Sequence, residues 1–299
     1  MKSKYVNPFT DFGFKKIFGE EASKPILIDF LNSLLPDSAI IKDLSFKNSE
    51  KLAATADERK AIFDIYCENE IGEKFIVELQ KAKQNYFKER TIYYSAFPII
   101  EQSEKGDWDF DLKAVFCIGI LDFTFNDGAK EGDINQVKKT IQLKDDECNV
   151  FYEKLTYIYL EMPKFKKQEH ELSSRLDKWL YFIKYLEDFQ AIPQIFKDEV
   201  VFMAAFEKAE IARYNQNEMA VYHDSLKVYR DLRNVIDTAR MEGEAKGRAE
   251  GNAEGEAIGD TKGEKRTAIK AAKVMKESNI DTDIIKRATG LTEDEINEL

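Results

Sequence analysis

The sequence predicts an α/β protein in which a central mixed sheet is flanked by helices and followed by a helical extension and a glycine-rich tail. Residues 61–68 and 74–80 alternate between apolar and polar side chains, which is typical of half-buried strands. Residues 112–121 are continuously apolar, as expected of a strand that is buried on both faces. Apolar residues at helical spacing before and after these strands predict the flanking helices.

Two short helices are predicted to precede the sheet. Thr10 can cap a helix over residues 11–18, which would end at Gly19. A second helix is expected to follow Ser23 and to end at Pro36, and residues 40–47 predict a strand.

The link between the two alternating segments predicts how they pair. Residues 70–72 suit a three-residue hairpin turn with Gly72 in the left-handed conformation. That turn places Asp64 directly opposite Glu78, with Cβ atoms about 5 Å apart. Gln80 follows two residues later on the same face, so three polar groups are expected together on one side of the sheet.

The remainder of the chain divides into predicted elements and domains. A long helix over 85–104 carries Arg90 and Tyr94 one turn apart, and residues 155–161 predict another strand. The expected domains are a core over 1–165, a helical extension over 166–239, a glycine-containing linker or helix over 240–266 and a small helical segment over 267–299.

Composition excludes several classes of protein. No apolar run approaches the roughly 18 residues that span a bilayer, and the first residues lack the apolar stretch of a signal peptide, so we expect a cytoplasmic protein that does not bind membranes. With 3 cysteines and 2 histidines, a structural zinc site or Cys/His chemistry is not expected. The net charge of −11 argues against nucleic acid as a partner. However, residues 1–106 carry 16 basic and 17 acidic residues and are nearly neutral.

The glycines of the tail recur every four residues from 243 to 263. Each costs about 1 kcal/mol relative to alanine in a helix, which makes an isolated helix unfavourable. Either helix–helix contact through the glycine face compensates, or this stretch is a loosely helical linker, and self-association stays open. The segment 267–299 is similar to a helix-turn-helix fragment, with packing or oligomerisation as the alternative reading.

The opposed carboxyl groups of Asp64 and Glu78 indicate a cation site. Two such groups do not both ionise comfortably unless a cation lies between them, and Mg²⁺ takes one or two carboxylates while keeping several waters. A metal held there can activate water and neutralise charge on a phosphate. The alternative is that Asp64, Glu78 and Gln80 form the solvated polar face of an ordinary hairpin.

These residues belong to stretches that resemble the PD-(D/E)XK nuclease family transposases, also called recombination-promoting nucleases. The similar stretches are NPFTDFGFKKIFG (7–19), IFDIYCENEIGEKFIVELQ (62–80), ILDFTF (120–125), YIYLEMPKF (157–165) and KRATGLTEDEINEL (286–299). The resemblance extends over nearly the whole chain. It implies a restriction-endonuclease-like PD-(D/E)XK core and cleavage of DNA.

The resemblance also implies roles for the three polar residues. Asp64 and Glu78 would be catalytic residues and the ligands of Mg²⁺, with Mn²⁺ or Ca²⁺ as substitutes. Gln80 stands where most nucleases of this fold carry lysine; its neutral amide cannot supply a positive charge, but it can orient water or phosphate. Lys81 is nearby, although strand parity points it to the other face.

Five further residues are candidates for supporting roles. Asp11 and Lys15 share a helix face that the resemblance places beside the site, or they form an ordinary exposed ion pair. Glu50 either approaches the metal or has no role in the site. Arg90 and Tyr94 either bind a phosphate and stack on a base, or pack against the sheet.

The leading hypothesis is therefore a divalent-metal-dependent DNA endonuclease linked to recombination or mobile elements. A catalytically inactive binding or assembly protein with the same scaffold is the alternative. The acidic net charge and a tail that suits self-association favour this alternative.

Overall fold

A six-stranded sheet forms the centre of the protein, which we describe from a computed structural model. The structure describes residues 3–36, 39–48, 50–51, 61–103, 109–125 and 135–299. The strands are β1 (Leu44–Phe46), β2 (Glu50–Lys51), β3 (Ala61–Ile62), β4 (Ile65–Asn69), β5 (Lys74–Gln80), β6 (Val115–Leu121), β7 (Lys138–Lys144) and β8 (Val150–Glu161).

The order of strands in the sheet is β1-β4-β5-β6-β8-β7. The β5/β6 and β6/β8 pairs are parallel, whereas the β1/β4, β4/β5 and β7/β8 pairs are antiparallel. Strands β2 and β3 form a separate two-stranded ribbon. This is the mixed sheet that the sequence predicts, and β6 at its centre is buried along its whole length.

The β4–β5 hairpin has the predicted register. Gly72 adopts a φ of +88°, and the N–H of Asn69 donates to the carbonyl of Glu73 over 3.0 Å. Regular pairing runs from this turn as far as Ile65 and Val77. The prediction of one continuous strand over 61–68 is wrong, because the chain bends at Asp64 and separates β3 from β4.

Helices cover both faces of the sheet. In chain order, the helices of the described residues in both units are α1 (Asp11–Phe18), α2 (Lys24–Asn32), α3 (Phe87–Ile100), α4 (Arg175–Tyr185), α5 (Gln194–Lys197), α6 (Val200–Ala209), α7 (Gln216–Glu277), α8 (Thr282–Thr289) and α9 (Glu293–Asn297). Helix α3 packs over one face through Phe87 and Tyr94, around an aromatic cluster that includes Tyr159. Helices α1, α2, α4 and α6 pack on the other face, around the buried indole of Trp179.

The ends of several elements differ from the predictions. Thr10 caps α1 as expected by accepting from the N–H of Gly13 over 3.0 Å. Helix α2 ends at Asn32 rather than at Pro36, because the Asn32 side chain hydrogen-bonds the backbone of Ile41 in both directions. The strand predicted over 40–47 is reduced to β1.

Two compact units divide the described chain, one over Met1–Arg233 and one over Asn234–Leu299. The second contains a small core of Ala272, Ile285, Leu291 and Ile296. The backbone is helical through all six tail glycines, and a Cβ atom added at any of them would meet nothing within 4 Å. The domain boundaries predicted from the sequence stay predictions.

We also compared the helices with the requirements for crossing a bilayer. Across the described ranges, none of the helices combines the necessary length with sufficient apolar character.

Candidate acid-pair site

Asp64 lies at the bend immediately before β4, where the regular ladder stops. Its Oδ2 atom accepts a hydrogen bond from the N–H of Leu79 over 2.7 Å. The Asp64 carboxyl is therefore fixed to the backbone of the strand that carries Glu78. A short polar side chain at an interrupted strand can accept a free N–H in this way, which explains why the chain tolerates the bend here.

Glu78 lies on β5 opposite Gly119 of β6, on the face covered by α3. Its Oε1 atom is buried and has no hydrogen-bond partner among the described residues. Beside it is a cavity of about 10 Å³, whose lining includes Thr91, Tyr94 and Tyr159. That volume is about what a single water molecule needs. Within the part of the chain that the structure describes, Glu78 therefore has an unsatisfied carboxylate oxygen.

The two carboxyl groups affect each other's ionisation. Burial, and then the negative charge of Asp64, raises the pKa of Glu78 to about 8, against the opposing charge of Arg90. Burial also raises the pKa of Asp64, although the hydrogen bond from Leu79 opposes this shift. Such shifts arise when two acids share a site that lacks a compensating cation.

The acid pair fits a hard divalent cation. An unsatisfied buried carboxylate oxygen on Glu78 and the neighbouring carboxyl of Asp64 are oxygen donors of the kind that Mg²⁺ prefers. The described part of the chain has no cluster of three or more His, Cys, Asp or Glu side chains suited to a metal. A cation here would thus take its other ligands from water, backbone or phosphate oxygens, as Mg²⁺ commonly does.

Gln80 is held by two hydrogen bonds at the end of β5. Its Oε1 atom accepts from Nη2 of Arg90, and its Nε2 atom donates to the carbonyl of Ala82 over 2.8 Å. Arg90 also donates to the side chain of Gln84. The guanidinium of Arg90 therefore lies beside the acid pair, and its charge lowers the pKa of Glu78.

Tyr94 lies one turn after Arg90 and packs against the sheet. Its ring meets that of Phe63 edge-on, with centroids 5.4 Å apart, and the Arg90 guanidinium lies 5.7 Å from its centroid. Burial raises the pKa of the Tyr94 hydroxyl. The Tyr94 ring thus packs against the aromatic cluster on the sheet, as one of the two alternatives for this residue has it. The ring also lines the small cavity beside Glu78.

Asp11 and Lys15 form an ion pair 3.0 Å long on an exposed part of α1. The charge of Asp11 raises the pKa of Asp64, and that of Lys15 lowers the pKa of both Asp64 and Glu78. The pair is thus within electrostatic range of the site. Glu50 pairs through its backbone with Ile62 in the β2/β3 ribbon, and its side chain lies outside the described residues.

Lys81 adds a positive charge within electrostatic range of Asp64, directly after β5 ends at Gln80. Burial lowers the pKa of its ammonium group, which interacts with the charges of Asp11 and Asp64. Strand parity predicts that its side chain points to the face opposite Glu78, and that stays a prediction.

Asp122 is a further residue that the sequence did not single out. It follows β6, and its N–H donates to the carbonyl of Gln80 over 3.0 Å. Its carboxylate accepts from Tyr229 and Arg233 of α7 over 3.1 and 3.2 Å. Asp122 thus anchors α7 at the sheet edge where the acid-pair strand ends.

The structure thus defines an α/β protein with a mixed six-stranded sheet flanked by helices. The sequence matches the family described as PD-(D/E)XK nuclease family transposase over residues 8–239, and the chain belongs to that family. Comparison with curated proteins and with solved structures finds no significant match.

Proposed function

We propose that this protein is a divalent-metal-dependent DNA endonuclease that hydrolyses phosphodiester bonds at the Asp64–Glu78 pair. The observation that carries the proposal is the buried Glu78 oxygen without a hydrogen-bond partner, next to a second carboxyl group. Membership of a nuclease family supports DNA as the substrate. The predicted cofactor is Mg²⁺, with Mn²⁺ or Ca²⁺ as substitutes.

The residues of the site have separate roles in this proposal. Asp64 and Glu78 would hold the cation, which when bound activates water and offsets charge on the phosphate. Gln80 positions a water or a phosphate oxygen through its amide, and Arg90 holds that amide in place. Lys81 and Lys15 add positive charge near the acids, which favours the approach of a phosphate.

The decisive variant is Asp64→Ala. We expect it to stay folded and to lose metal-dependent nicking of supercoiled plasmid, because one of the two cation ligands is gone. Asp64→Asn should be equally inactive while keeping an oxygen that can accept from Leu79, which separates loss of charge from loss of the hydrogen bond. Nicking is measured by gel electrophoresis with Mg²⁺, Mn²⁺ or EDTA.

Asp111→Asn is the matched control for this experiment. Asp111 is an exposed carboxylate paired with Lys113 and Lys154, away from the acid pair in the sequence and on the surface. Its loss should leave nicking unchanged. Retained nicking by either Asp64 variant would rule out the assignment.

The alternative function is a non-catalytic binding or assembly protein on the same scaffold. The net charge of −11 favours this alternative, because it opposes binding to DNA. Titration calorimetry with Mg²⁺ or Mn²⁺ discriminates the two. The endonuclease should bind metal, and Glu78→Gln should abolish that binding; absence of any metal binding in the wild type would favour the alternative.

The biological setting belongs to the same proposal. The family description supports a role in recombination or in the biology of mobile elements. We propose that the protein acts in the cytoplasm and that its helical tail supports self-association, since a Cβ atom added at the tail glycines would meet no described atom of another element within 4 Å, which leaves room for a second helix.

A further inference from the structure

Tyr86 presents an aromatic ring to solvent immediately before α3. Its residue surface is 77% exposed, whereas the next residue, Phe87, is 4% exposed and packs edge-on against Phe123. The φ of Tyr86 is +61°, in the left-handed region that bulky residues rarely adopt. Tyr86 therefore adopts an unfavourable backbone conformation, and its exposed ring gains no burial that would offset the conformational energy.

Hydrogen bonds connect this position to the acid-pair site. The carbonyl of Tyr86 accepts from the N–H of Arg90 over 2.9 Å. The guanidinium of Arg90 in turn binds the side chains of Gln80 and Gln84. Tyr86 therefore lies one helical turn before Arg90, whose side chain contacts Gln80 of the acid-pair site.

The surrounding segment is basic in an otherwise acidic protein. Residues 81–90 contain four basic residues and one acidic residue, a net charge of +3, whereas the whole chain carries −11. Lys83 is exposed within this segment. Exposed aromatic rings beside basic side chains are what proteins use to bind single-stranded nucleic acid, because bases stack on the rings while phosphates contact the cations.

We propose that Tyr86 stacks on an unpaired base of the DNA strand that enters the acid-pair site, and that Lys83 contacts the phosphates beside that base. This inference rests on the nuclease function proposed above. Inside a duplex the neighbouring bases cover both faces of each base, whereas a base in a single strand or an unpaired stretch leaves a face free for an exposed ring. The substrate is therefore single-stranded or locally unpaired DNA.

The test compares DNA binding by full-length variants in EDTA, where metal-dependent cleavage is suppressed. Tyr86→Asn removes the ring but keeps a residue that tolerates the left-handed conformation. We expect it to weaken binding of a fluorescein-labelled single-stranded oligonucleotide roughly 5- to 150-fold, the effect of losing one stacked base. Tyr86→Trp should bind nearly as tightly as the wild type. Fluorescence anisotropy gives the Kd values.

Phe110→Asn is the matched control. Phe110 is also an exposed aromatic residue, with 73% exposure and a φ of +62°. It precedes the amino end of β6, whereas Gln80 pairs with Leu121 at the other end of that strand. The Phe110 variant should bind the oligonucleotide as the wild type does.

The outcomes separate this inference from the nuclease proposal. Stacking by Tyr86 is wrong if the Tyr86→Asn variant has the melting temperature of the wild type and binds the oligonucleotide equally tightly. It is also wrong if Phe110→Asn loses as much affinity as Tyr86→Asn. In either case, plasmid nicking by the wild type would still support the nuclease assignment. If Tyr86→Asn has a lower melting temperature, the other two variants decide whether Tyr86 stacks on a base. Binding that is retained in Tyr86→Trp and lost in Tyr86→Ala supports stacking, and any other pattern overturns it. A wild type that neither binds nor nicks DNA overturns both.

Discussion

Asp64 and Glu78 are acids placed where water cannot fully solvate their charges. Burial is the largest cause of the raised pKa in each, and the charge of Asp64 adds to the shift in Glu78. The charge of Arg90 opposes this shift without removing it. Two acids placed in this way cost stability when both ionise without a compensating cation.

The raised pKa of Glu78 predicts how stability depends on pH. Between its ordinary value near 4.5 and about 8, the folded state retains a proton that the unfolded state has released. The free energy of unfolding should therefore fall as pH rises through that interval, and this contribution should be constant outside it. Urea denaturation in EDTA at several pH values measures the slope.

Glu78→Gln is the control for this pH dependence. The amide does not titrate, so the part of the slope that comes from Glu78 should disappear and the variant should gain relative stability as pH approaches about 8. An identical slope in both proteins would show that Glu78 ionises normally in the folded state.

The register that opposes Asp64 and Glu78 could be predicted from the sequence, whereas the contact of Arg90 with this region could not. The length of the turn at Gly72 fixed the register that brings Asp64 and Glu78 together. The contact between Arg90 and Gln80 depends on how α3 lies on the sheet, which no local pattern specifies.

At the scale of elements, the β4–β5 hairpin depends on its turn. We expect Gly72→Ala to destabilise the protein by about 1 kcal/mol, because a Cβ atom is unfavourable at the φ of +88° found there. Ile71→Ala, at an exposed position of the same turn, should change stability by less than about 0.5 kcal/mol. Equal effects in urea denaturation would contradict the role of the turn.

The elements that were predicted well are those with a strong pattern. Strand β6 is a continuous apolar run, and it is buried along its length. Strand β7 was missed because Lys138–Lys144 is a largely exposed edge strand rich in lysine, a composition that protects sheet edges but hides the strand signal. Strand β8 extends to Val150, five residues before the predicted start, where it pairs with β7.

At the scale of the whole molecule, the tail glycines lie within a single long helix. Because glycine alternates with helix-forming residues there, the sequence was compatible with both a linker and a helix. The intrinsic helix propensity of the residues is too weak a signal to decide between the two. Among the described residues, and apart from the backbone of the helix itself, nothing lies within 4 Å of a Cβ atom added at Gly247, Gly251 or Gly255.

Replacing Gly247, Gly251 and Gly255 together by alanine tests whether these glycines allow self-association of α7. Each change should stabilise the helix by about 1 kcal/mol. On heating, the helical signal in circular dichroism should therefore persist to a higher temperature than in the wild type. If the glycines allow close contact between copies, the same variant should associate more weakly in sedimentation equilibrium. Undiminished association would show that any oligomer forms through another surface.

The hydrogen bond from Leu79 to Asp64 has a consequence for activity on warming. It ties the Asp64 carboxyl to the backbone of the strand that carries Glu78, so we expect the two acids to stay together as long as that strand keeps its pairing. The centre should thus keep its shape until the hairpin itself melts. Heat inactivation is then expected to coincide with loss of the core rather than to come before it.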